Sequence, residues 1–83
     1  MKSTEIIEKL YIIYCDTLGL VIDKQKFVEA EDLSEEFSID SLMGLQIIVR
    51  IEQEFEVIIE DDDFAIEMIK SLDKAVNFIE KAR

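Results

Sequence analysis

The stretch DSLMGLQIIVRIEQEF, from Asp40 to Phe55, sets the reading of the whole chain. At about 100° per residue, Gly44, Ile47, Ile48, Ile51 and Phe55 fall within one arc of roughly 100°, enough to face a small core. The spacing predicts a helix over residues 41–55, with Asp40 as its N-cap. Leu42, Leu45 and Val49 form a second apolar stripe beside the first, with Ser41 between the two at the N-terminal end. Together the stripes span roughly 220°, more than a surface helix of a small bundle buries. Either the helix is enclosed on all sides, or the outer stripe stays exposed for a partner. In a chain of 83 residues few helices can be enclosed, so a docking stripe is expected. Met43 next to it is an adaptable contact or simple filler.

Outward from this helix the pattern is all-α. Upstream, Ile6, Ile7, Leu10, Ile13, Tyr14 and Leu18 recur at spacings of three and four, which predicts an amphipathic helix. Ser3 or Thr4 can cap it, and Gly19 suits the left-handed position past its end. Residues 19–40 lack sustained periodicity and carry six acids from Glu29 to Asp40. They form a functional loop or hide a short helical turn, with Leu33, Phe37 and Ile39 as expected anchors. Downstream, 56–60 reads as a connection and 61–69 as a short third helix opened by acids. Ser71 can cap a last helix with Leu72, Ala75, Val76 and Ile79 inside and Phe78 at the edge. Lys81 and Arg83 suit its negative end. The expectation is a small four-helix bundle with a long connection between helices 1 and 2 and a short third helix.

Composition narrows the chemistry. Twenty Asp and Glu oppose nine Lys and Arg, for a net charge of −11. This speaks against nucleic-acid phosphates and anionic lipid as partners and favours basic protein surfaces. The 49% hydrophobic content is too high for an acidic disordered tail. Without histidine, His-based triads and zinc sites are excluded. The single cysteine, Cys15, reads as a small apolar residue rather than a redox site. No apolar run resembles a secretory h-region or a membrane span, so a soluble cytoplasmic protein is expected. Tyr11 and Tyr14 read as packing residues with wet hydroxyls. Asp61-Asp62-Asp63 lacks the alternation and distal Glu of a calcium loop, and no metal site is assigned. No catalytic set is present either.

Ser41 is the exception to this plainness. In the first turn of a helix it is exposed and close to free amides, where phosphate groups are favoured. Asp40 and Ser41 can equally be capping residues and nothing more. Nothing in the chain would activate Ser41 as a nucleophile, so any modification needs another enzyme to supply the base and the metal.

The run Phe37-Ser38-Ile39-Asp40-Ser41-Leu42, followed by an apolar helix ending in Glu52-Gln53-Glu54-Phe55, resembles the acyl and peptidyl carrier proteins. Leu33 and Phe37 as loop anchors, the spacing of Phe55 from the serine, and Ala75, Val76, Phe78 and Ile79 in a closing helix extend the likeness over nearly the whole chain. The resemblance implies one carrier domain over residues 1–83, monomeric and not an enzyme. It implies 4′-phosphopantetheine, donated by coenzyme A, on Ser41. Asp40 would be read by the phosphopantetheinyl transferase. Leu42, Met43, Leu45, Gln46, Val49 and Arg50 would face partner enzymes. Those partners would be an adenylation- or ligase-type activating enzyme and downstream condensing or transferase enzymes.

Departures from the family pattern refine the expectation. Fatty-acid carriers usually place acids soon after the serine; here Met43 and Gln46 stand at two such positions, and Arg50 adds a positive charge. Ser38 replaces the glycine usual before the motif. The chain looks more like a discrete carrier of acyl, aryl or aminoacyl groups in polyketide, nonribosomal or siderophore-type assembly. Fatty-acid synthesis is the alternative. A different class, an acidic decoy for a basic partner, would use the fourteen acids from Phe27 to Ile69 but would not need the apolar stripe.

Overall fold

The structure is a computed structural model and describes residues 2–82. Six helices follow one another among these residues: α1 Ser3–Leu18, α2 Lys24–Glu29, α3 Leu33–Glu36, α4 Ser41–Phe55, α5 Asp62–Lys70 and α6 Leu72–Ala82. The expected four-helix frame is α1, α4, α5 and α6. In it α1 packs on α4 and α6, while α5 packs on α4, α6 and α3.

The ends of α1 differ in how they match expectation. Gly19 adopts φ 67°, and the chain turns there as glycine allows. At the start, neither Ser3 nor Thr4 is the cap; Lys2 holds that position with no side-chain capping bond. Ser3 lies inside the helix because its hydroxyl donates to Glu80 at 2.6 Å, joining the start of α1 to α6.

Residues 19–40 contain two short helices, each opened by an aspartate. The Asp23 carboxylate accepts from the Gln25 amide at 2.8 Å, and that of Asp32 from the Glu35 amide at 3.1 Å. Phe27 and Leu33 are fully buried, whereas Phe37 and Ile39 are half-buried against the core. Phe27 meets Tyr14 and Tyr11 edge-on, with ring centroids 5.2 and 5.6 Å apart.

Both tyrosine hydroxyls are held by backbone carbonyls, and that of Tyr14 is buried rather than wet as expected. Tyr11 donates to the Ile22 carbonyl, and Tyr14 to the Ile69 carbonyl at 2.9 Å. Burial pushes the Tyr14 phenol above its ordinary range, so it stays a donor. It ties α1 to the end of α5. Leu72, Ala75, Val76 and Ile79 of α6 are buried and Phe78 is half-buried, as expected. The Ser71 hydroxyl accepts from the Lys74 amide at 3.3 Å, and Arg83 lies outside the described residues. No helix among the described residues is long and apolar enough to cross a membrane.

Candidate functional site at the start of α4

The approach to α4 is tightly specified. Ser38 adopts φ 53°, a left-handed conformation that glycine takes more readily. Ile39 then turns inward. Asp40 caps the helix, its carboxylate accepting from the Met43 amide at 2.8 Å while its carbonyl accepts from the Gly44 amide at 2.8 Å. Because Asp40 does the capping, Ser41 is free of that role.

Ser41 is the first residue of α4 and is exposed. Its hydroxyl makes no side-chain hydrogen bond among the described residues. Ser3 donates to Glu80, Ser34 to Asp32 at 2.6 Å, and Ser71 serves as a cap. The Ser34 hydroxyl, and then the Glu35 amide, hold the Asp32 carboxyl below its ordinary value. Among the described serines, Ser41 and Ser38 alone are exposed with unengaged hydroxyls, and of these two Ser41 stands on a helix start.

The two faces of α4 separate as the periodicity predicts. Gly44, Ile47, Ile48, Ile51 and Phe55 are buried. Leu42, Leu45 and Val49 are 64%, 61% and 41% exposed, so the helix is not enclosed. Gln46 is exposed with them. Met43 is half-buried, and Arg50 points toward α1, where its guanidinium pairs with Asp16 at 3.0 Å and donates to Thr17 at 3.3 Å. The acids at the far end of the helix are engaged as well. Glu52 accepts from the Ile59 amide at 2.8 Å, and Glu54 pairs with Lys9 at 3.1 Å. Asp61 caps α5 by accepting from the Phe64 amide at 3.1 Å, which accounts for the first acid of that triplet.

Beside Ser41 an open groove of about 590 Å³ runs between α4 and α5. Gly44, Leu45 and Ile48 form one wall, with Ala65, Ile66 and Ile69 opposite. Gly44 permits the close approach of the two helices: a Cβ there would lie 2.9 Å from Ile69 Cδ1. Sequence reasoning missed this groove. The signal was the spacing of Ala65, Ile66 and Ile69 on the short α5, which places small and branched apolar residues on one face.

The family model for the phosphopantetheine attachment site matches residues 8–79, from the second turn of α1 to Ile79 of α6. The chain belongs to this family. Similar curated relatives are acyl carrier proteins. That of Guillardia theta is 34% identical over 79 residues, covering 95% of this chain and 93% of the relative. That of Thermosynechococcus vestitus is 33% identical with the same coverage. That of Chlorobium phaeobacteroides is 31% identical over 81 residues, covering 98% and 99%. No solved structure matches. Members of the phosphopantetheine family are carriers and not enzymes; they hold 4′-phosphopantetheine covalently and serve phosphopantetheinyl transferases and acyl-handling enzymes. The α4 start fits such a group: an exposed, unengaged hydroxyl stands where helix amides favour a phosphate.

Proposed function

We propose that residues 1–83 act as one cytoplasmic, monomeric carrier domain whose 4′-phosphopantetheine is attached at Ser41. The free Ser41 hydroxyl beside the α4–α5 groove carries this reading. In loading, one phosphoester bond forms at Ser41 Oγ, one pyrophosphate bond of coenzyme A breaks with release of adenosine 3′,5′-bisphosphate, and the hydroxyl proton passes to a base of the transferase. Asp40 supports the step by fixing the helix start, which leaves Ser41 unhindered. When attached, the group supplies a thiol on which acyl, aryl or aminoacyl cargo is held as a thioester. Of these, an apolar acyl or aryl group suits the groove walls best.

Leu42, Leu45, Gln46 and Val49 serve as the partner-facing stripe, with Met43 and Arg50 at its margin. Its partners are the transferase, an adenylation- or ligase-type activating enzyme, and condensing or transferase enzymes downstream; nucleic acid and membrane are not among them. The α4 surface carries no acid between Asp40 and Glu52. This favours polyketide, nonribosomal or siderophore-type assembly over machinery that grips carriers by acids early on this helix. Fatty-acid synthesis is the second reading, favoured by the apolar groove and by the acyl carrier names of the relatives. An acidic decoy would need neither the groove nor a free hydroxyl at the helix start.

Incubation with coenzyme A, magnesium and a broad-specificity phosphopantetheinyl transferase, followed by intact mass, tests the assignment. One addition per chain is expected, and none in Ser41→Ala. Labelling at Ser34, Ser38 or Ser71 would overturn it.

A further inference from the structure

Lys70 closes α5 and is the one cation among the residues lining the groove, whose other charged members are Asp40, Glu52 and Asp62. The end of α5 runs close to the first turn of α4. Ile69 Cδ1 lies 2.9 Å from where a Cβ on Gly44 would stand, three residues beyond Ser41. Lys70 is half-buried and joins none of the ion pairs among the described residues. Asp32, on the α3 side, lies near enough to sense its charge, but that carboxylate is already held by the Ser34 hydroxyl and the Glu35 amide. Asp62 stands on the same helix nearly its whole length away. A lysine whose stem lies on a largely apolar wall keeps its ammonium free to meet an anion brought to it, and its flexible four-carbon stem lets it reach one.

We infer that Lys70 is the cationic contact for the phosphodiester joining the pantetheine arm to Ser41, and that it draws the base of the arm toward the groove. The inference rests on Ser41 being the attachment site. The diester carries one negative charge; the α4 amides favour it from one side, and Lys70 supplies the other. Lys70 is thus a positioning residue for the arm. As a mere C-terminal cation of α5 it would stabilise the apo and loaded protein alike.

Wild type, Lys70→Gln and Lys70→Arg are each loaded with the transferase and checked by intact mass. A wild type that takes no addition sinks the attachment reading and the role of Lys70 with it. With loading established, the melting temperature of each holo form is compared with its own apo form. Loading is expected to raise the wild type by about 2–4 °C at low salt, as for a half-exposed ion pair. The gain should persist in Lys70→Arg, vanish in Lys70→Gln and shrink at 0.5 M sodium chloride. An equal gain in wild type and Lys70→Gln, or no gain in wild type, overturns the inference. Should Lys70→Gln not fold, the ³¹P resonance of the wild-type diester decides. It should move with salt, and a resonance that does not move refutes the contact.

Discussion

Two alanine substitutions two residues apart on α4 should have opposite consequences. Leu45 is 61% exposed, so only about two-fifths of its side chain is withdrawn from water. Full burial of a leucine is worth about 1.5–3 kcal/mol, so Leu45→Ala should cost about 0.6–1.2 kcal/mol. Ile47 is 0% exposed, and truncating such a residue costs about 2–5 kcal/mol once the cavity is included. In a domain of this size 1 kcal/mol shifts the melting temperature by about 4–8 °C. Leu45→Ala should therefore melt within about 10 °C of wild type, and Ile47→Ala well below it. Circular dichroism melting measures the first half. The second half is transfer of cargo from the loaded carrier to a partner enzyme at a temperature where both variants are folded. Leu45→Ala should slow transfer, and Ile47→Ala should act only through stability. Equal melting losses, or a transfer rate untouched by Leu45→Ala, would refute the division of α4 into a core face and a docking face.

Relieving the left-handed backbone at Ser38 should help the fold: Ser38→Gly is expected to stabilise by about 0.5–1 kcal/mol, read as a higher urea midpoint, whereas Ser38→Ala should be neutral. Tyr14→Phe removes the donor to the Ile69 carbonyl and should cost about 1–3 kcal/mol in denaturant unfolding; an unchanged midpoint would mean that the bond contributes nothing. Asp32 has a depressed folded pKa, so its stabilisation is present above the unfolded value of about 3.9 and fades as pH falls through the folded value. The stability gap between wild type and Asp32→Ala should therefore be wide at pH 6 and close on acidification below about pH 4. A gap that does not depend on pH would count against the hydrogen bonds from Ser34 and Glu35.

Long helices were legible because they hold several periods. The five inner residues of α4 and the inner face of α6 could be named from spacing alone, and the structure buries them. The short helices α2 and α3, six and four residues long, hold too few turns to show a period. They are stabilised by Asp23 and Asp32 as caps and by Phe27 reaching Tyr14, a contact between residues thirteen apart in the chain. The cap of α1 was misread because the acceptor that claims the Ser3 hydroxyl, Glu80, stands at the opposite end of the sequence. Arg50 is similar: its exposure depends on Asp16, a residue of another helix. At the candidate site, Asp40 and Ser41 were legible as a helix start. The groove was not, since it exists only between two helices whose distance is set by Gly44 against Ile69.

Apart from the Tyr14 phenol, no charged or polar side chain is buried among the described residues. Every described Asp and Glu carboxylate therefore meets solvent, and between pH 5 and 8 nothing in the described interior has to gain or lose a proton. The protein body should keep one shape across compartments of differing acidity. Acidification instead discharges its exterior, and solubility should be poorest near the isoelectric point of about 4.2.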